Sequence, residues 1–158
     1  MAEEDKKFLL EKAIRLAAKA HKGQTDRYGN PYILHVMRVM MKGTDNDEQI
    51  LGALHDVLER SELETEDIKE RGFPNRVVSA LDHISRRVEE SYEEYIERVA
   101  QNGLAARVKI HDLADKMDLL HVQQISDSDL KRFNRQLAAY HKLNKLVRKA
   151  RARMDIGQ

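Results

Sequence analysis

ALHDVLER, residues 53–60, sets a His-Asp pair at the polar edge of an apolar helical run. Leu51, Leu54 and Leu58 recur at helical spacing and predict a face turned toward a core. His55 and Asp56 interrupt that face with two side chains well suited to a divalent metal. Outward from this stretch the chain reads as helix almost throughout, with only two prolines in 158 residues and few clusters of β-branched residues. Periodicity predicts helices over 6–21, 32–42, 47–60, 74–84, 91–101 and 104–120, a helical turn over 65–72, and a last helix from about 128 into a basic tail. Leu9, Ala13, Leu16, Ala17 and Ala20 form the apolar stripe of the first helix. Asp45 and Asn46 offer caps for the helix that carries the His-Asp pair, Ser91 opens a later one, and Pro74 suits a first helical turn. Between the first two helices, HKGQTDRYGNPY (21–32) holds Gly23, Gly29, Asn30 and Pro31 and predicts a loop or tight hairpin. No repeat, linker or low-complexity segment interrupts the pattern, so one all-α domain over 1–158 is expected.

A chain of 158 residues can bury a real core. No apolar run approaches the length of a membrane span. The N-terminal MAEEDKKFLL is charged and lacks the apolar centre of a signal peptide, which makes the cytoplasm the expected location. There is no cysteine, so disulfides and thiolate sites are excluded and any metal must be held by His, Asp or Glu. The formal net charge is +1, without a nucleic-acid-binding stripe. The short basic segment KLVRKARAR (145–153) reads as a solvated helix end with cations near its C-terminus. Neither a nucleic acid nor a membrane is an expected partner.

Four candidate ligands stand on three predicted helices: His35, the pair His55 and Asp56, and Asp112 in VKIHDLADKMDLL. Two imidazoles and two carboxylates suit manganese, iron or zinc better than calcium or magnesium. Neighbouring residues on a helix point about 100° apart. His55 and Asp56 can then share an ion only if it lies between their directions, with the other ligands supplied by facing helices.

The chain resembles the HD-domain hydrolases of the Rel/SpoT type, most closely the small stand-alone alarmone hydrolases. The resemblance covers about residues 8–147 and rests on AAKAHKGQTDRYGNPYILHVMRV, ILGALHDVLE, GFPNRVVSALDHISRR with SYEEYIERV, and ARVKIHDLADKMDLL, in matching order and spacing. It implies a single all-α HD-type domain, a divalent metal (manganese above others) on His35, His55, Asp56 and Asp112, and a guanosine 3′-diphosphate nucleotide as substrate. The implied reaction is hydrolysis of guanosine tetra- or pentaphosphate to GDP or GTP and pyrophosphate. Glu59, one helical turn after His55, matches the first acid of the family's Glu-Asp pair and becomes the candidate general base or water-positioning group. Lys22, Arg27 and Tyr32 fall where the family contacts nucleotide or phosphate, and Lys109, one turn before Asp112, is expected near phosphate. Ser85, Arg86 and Arg87 align with a loop that could line the same site. His21 is read as structural support. His83, His111, His121 and His141 are read as surface or structural residues.

Three departures lie close to the implied site. The family writes His-Asp-Val-x-Glu-Asp, whereas HDVLER puts Arg60 in place of the second acid. The family has Asn four residues after the last metal Asp, where this chain has Lys116, and Ala just before that Asp, where it has His111. Arg60, beside Glu59 in the catalytic stretch, and Lys116 are expected to face the phosphate pocket and to exchange catalytic fit for anion affinity. With no stretch for a synthetase half, degradation of the alarmone is the expected activity. Two alternatives stay open: a phosphatase for another phosphorylated nucleotide such as NADPH, and a degenerate HD domain that binds nucleotide without turnover.

Overall fold

The computed structural model describes residues 3–120, 122 and 124–156. Local chemistry fixes where its helices begin. Asp45 is extended and its carboxylate accepts the Glu48 N–H at 2.9 Å, which starts α3. Ser91 and Glu94 satisfy each other's backbone N–H groups in a capping box at the head of α7. The Asn102 side chain accepts from the N–H groups of Leu104 and Ala105 and starts α8. Among the described residues the order is α1 (Glu3–Ala20), α2 (Ile33–Met41), α3 (Asn46–Leu54), α4 (Val57–Arg60), α5 (Thr65–Glu70), α6 (Asn75–Ile84), α7 (Tyr92–Ala100), α8 (Gly103–Lys116) and α9 (Asp127–Ile156). The segment between α1 and α2 is a tight hairpin closed by one antiparallel bridge between Thr25 and Pro31. The Asp26 carboxylate accepts from the N–H groups of Tyr28 and Asn30, and Gly29 takes the left-handed φ of +83° that the turn needs.

The all-α expectation is met, with three differences of boundary. The helix expected over 47–60 is two, α3 and α4, and the break falls at His55 and Asp56. The helix expected over 104–120 ends at Lys116. Pro74 stands just outside α6 as its N-cap residue, in an extended conformation. His121 lies outside the described residues. KLVRKARAR lies on α9 and is exposed apart from Val147, which is partly buried against the core. No described helix is long and apolar enough to cross a membrane.

The core joins Ala13 and Ala17 of α1, Val36 and Val39 of α2, and Ile50, Leu51 and Leu54 of α3, all fully or nearly fully buried. α8 lies in the middle and touches α2, α3, α6, α7 and α9, burying Val108 and Leu113. α2 and α3 approach closely at Gly52, where an added Cβ would sit 2.7 Å from the Met40 Cα. The obstruction is backbone, which cannot rotate aside, so glycine sets the spacing of α2 and α3. Gly52→Ala should lower stability by about 1–3 kcal/mol, the usual cost of overpacking. The check is a urea titration showing a lower midpoint with an unchanged slope. An unmoved midpoint would show that the helices can separate freely.

Candidate metal centre

The close approach of α2 and α3 brings the His35 and His55 rings to 5.3 Å between centroids. His35 projects from α2, His55 and Asp56 from the break between α3 and α4, and Asp112 from α8. All four are buried, and one ligand atom from each lies within 4.8 Å of all the others. His35 Nε2 is 3.2 Å from Asp112 Oδ1 and 3.8 Å from Asp56 Oδ2. His55 Nε2 is 3.2 Å from Asp56 Oδ2 and 3.6 Å from Asp112 Oδ1. The helix break resolves the geometric problem posed by adjacent ligands. Asp56 leaves the helical region, with φ −106° and ψ 3°, and so turns its carboxylate to the same point as His55.

The free atoms of this cluster fit a cation. His35 Nε2, His55 Nε2 and Asp112 Oδ1 are buried without a hydrogen-bond partner, an arrangement that folded proteins otherwise avoid. The outer atoms of three of the candidate ligands are tied down. His35 Nδ1 pairs with Asp115 Oδ2 at 2.7 Å, and His55 Nδ1 with the Gly52 carbonyl at 2.7 Å. With Nδ1 of each ring engaged outside the cluster, both Nε2 atoms point inward. The Lys109 ammonium donates to Asp112 Oδ2 at 2.7 Å, whereas the Tyr32 hydroxyl donates to Asp56 Oδ2, the same oxygen that faces the histidines.

Two carboxylates remain ionised here although burial opposes it. For Asp56, His55 and Lys116 overcome that opposition and hold its carboxyl well below the usual carboxylate range. For Asp112 the overcoming charges are those of Lys109 and Lys116. Burial would lower His55, but Asp56 and Asp112 raise it to about 10. The two buried carboxylates therefore depend on cationic partners, here His55, Lys109 and Lys116.

Sequence reasoning missed Asp115 and Arg38. Asp115 orients His35 and also accepts from Arg38 Nε at 2.8 Å and Nη2 at 3.0 Å. Its position three residues after Asp112, on the same helix face, was the available signal. Partners of this kind typically contribute tenfold to hundredfold to metal affinity. Asp115→Ala should therefore weaken Mn2+ binding by about that factor, read by titration calorimetry; unchanged affinity would show that packing alone orients His35.

A groove of about 540 Å³ opens beside the cluster and is lined by Arg27, Tyr32, Arg38, Arg60, Lys116 and Arg132 among others. Arg27 is paired with Asp129 at 2.6 Å, and Arg60 lies 3.6 Å above the Tyr32 ring. Glu59 is solvent-exposed, and its Oε1 accepts the Arg86 N–H at 2.7 Å. The protein packed around its carboxyl, followed by the charge of Asp56, raises its pKa. Lys22 is exposed and does not line the groove. Lys109 is buried, bound to Asp112 and set 5.0 Å from the Tyr95 ring, and so stands behind the ligands instead of on the groove. Tyr32 is likewise buried and reaches the groove mainly as the platform for Arg60. Ser85 is buried and its hydroxyl donates to the Leu81 carbonyl, while Arg86 and Arg87 are exposed. His21 is buried, pairs through Nδ1 with Gln24, and packs its ring 5.3 Å from Tyr32. His83 bonds to the Ser79 carbonyl, His111 lies 3.7 Å from the Glu48 carboxylate, and His141 is exposed.

An all-α domain with a two-His, two-Asp centre beside a cationic groove is the class that fold and site define. No family model matches the chain. It is 29% identical over 125 residues, 72% of its length, to a protein of Aquifex aeolicus (strain VF5) named guanosine-3′,5′-bis(diphosphate) 3′-pyrophosphohydrolase. A protein of the same name from Borreliella burgdorferi is 34% identical over 79 residues, 48% of this chain. The chain spans 18% and 12% of the length of these two curated relatives. Among solved structures it matches one described as a metazoan ortholog of SpoT that hydrolyzes ppGpp and plays a role in starvation responses. That match has a TM-score of 0.68 at 20% identity and covers 90% of this chain and 95% of the other. The two share a fold.

Proposed function

We propose that this chain is a cytoplasmic, metal-dependent hydrolase that cleaves the 3′-diphosphate of guanosine tetra- or pentaphosphate, releasing pyrophosphate and leaving GDP or GTP. The observation that carries the reading is the convergence of four ligand atoms within 4.8 Å at the edge of a cationic groove. The names of the curated relatives support the substrate. His35, His55, Asp56 and Asp112 hold the metal, for which manganese suits the mixed nitrogen and oxygen donors. When bound, a divalent metal lowers the pKa of water and stabilises charge on a phosphoryl oxygen.

The chain's own residues do the remaining work. Arg27, Arg38, Arg60 and Arg132 line the groove and hold the phosphates, as guanidinium groups do by paired hydrogen bonds. Tyr32 keeps Asp56 in place through its hydroxyl and carries Arg60 on its ring face. Asp115 and the Gly52 carbonyl fix the two imidazoles. Glu59, held by the Arg86 N–H, takes the proton from the attacking water, and its raised pKa makes it a stronger base than an ordinary glutamate.

The deciding experiment incubates the purified chain with Mn2+ and, separately, guanosine tetraphosphate and NADPH. Pyrophosphate from the first supports the reading. Orthophosphate from NADPH alone replaces it with the nucleotide-phosphatase reading. Nucleotide binding without any product supports a degenerate domain, a reading favoured by the Lys116 ammonium beside two of the ligands.

A further inference from the structure

Lys116 and Lys109 both pair with Asp112, but with different oxygens. Lys109 takes Oδ2, on the side away from the histidines, and is itself buried. The Lys116 Nζ is 2.8 Å from Oδ1, the oxygen that faces His35 Nε2 and His55 Nε2, and 3.9 Å from Asp56 Oδ2. It makes an ion pair with Oδ1 without hydrogen-bond alignment, so that oxygen keeps its lone pair. Lys116 is the last residue of α8, and its side chain is 33% exposed along the groove. The stem therefore has a free direction that Lys109 lacks.

We infer that Lys116 is an internal counter-cation of the ligand cluster, balancing Asp112 and Asp56 in the metal-free chain, and that a divalent ion must displace it to take the four ligands. The inference rests on the metal-centre reading of those residues and adds what this chain does to metal affinity. An ammonium and a divalent ion sharing one buried carboxylate oxygen repel strongly where the dielectric is low. The two occupants are alternatives. The displaced ammonium moves into the groove that its stem already borders. Lys116 is thus a counter-ion of the two carboxylates and a competitor of the metal.

The test uses the full chain as wild type, Lys116→Met and Lys116→Arg, with Mn2+ alone as probe. Calorimetric titration should show Lys116→Met binding Mn2+ at least about tenfold more tightly than wild type, with Lys116→Arg close to wild type. Thermal melts in a chelator should show the opposite order. Lys116→Met should melt about 4–8 °C below wild type, because two buried carboxylates have lost a partner, and saturating Mn2+ should close that gap. Equal, measurable Mn2+ affinities in wild type and Lys116→Met overturn the counter-cation, as does a melting difference that Mn2+ leaves unchanged. Absence of Mn2+ binding in all three proteins overturns the metal-centre reading itself and the inference with it.

Discussion

Asp56→Asn protein should lose its metal and its turnover together while keeping its helical circular dichroism. Asp56 Oδ2 is one of four converging ligand atoms and sits 3.2 Å from His55 Nε2. Asparagine preserves the shape and can still accept the Tyr32 hydroxyl, so the local packing survives. It removes the charge that, with Asp112, makes the cluster a cation site. Metal content measured after dialysis against Mn2+ should fall to background, and hydrolysis of guanosine tetraphosphate should fall below detection. Full metal occupancy in the variant would place Asp56 outside the coordination shell, and the centre would then rest on three ligands.

The second large effect is expected at Glu59. Glu59→Gln should retain Mn2+ and nucleotide affinity and lose on the order of a hundredfold or more in kcat, the usual scale for a general base. The pH profile gives an independent reading. The base acts only when ionised, and the protein packed around its carboxyl, followed by the charge of Asp56, raises its pKa above the ordinary 4.5. The acidic limb of kcat/KM for the wild type should therefore lie above pH 4.5, and Glu59→Gln should abolish that limb. Wild-type kcat in Glu59→Gln would return the residue to a role in holding the 85–90 loop through the Arg86 N–H.

What the sequence made legible follows from what side chains can announce. The four candidate ligands were legible together, through the order and spacing of the segments that carry the family resemblance, and not singly, because an isolated histidine or aspartate has many other uses. The helices were readable from periodicity, and the Asp45 and Ser91 caps from residue type. The break at His55 and Asp56 was not. Leu51, Leu54 and Leu58 keep helical spacing straight through it, and neither glycine nor proline marks it. The partner of His55 is a backbone carbonyl, which every residue has and no residue type signals. Lys109 was expected near phosphate from its place one turn before Asp112; its burial against Asp112 and Tyr95 is a property of α7 and α8 packed together. Lys116 was legible as a departure in type, but its direction toward the ligand oxygens depends on where α8 ends.

The placement of Asp112 on α8 also has a consequence in time. His35, His55 and Asp56 lie in the first third or so of the chain, whereas Asp112 follows more than fifty residues later. At roughly 5–20 residues per second of synthesis, the first three emerge several seconds before the fourth. α2 and α3 can pair locally in that interval, but the fourth ligand arrives only with the helix that touches five others. The centre is therefore assembled late, and a nascent chain halted before α8 carries three converging side chains with no competence to complete the set.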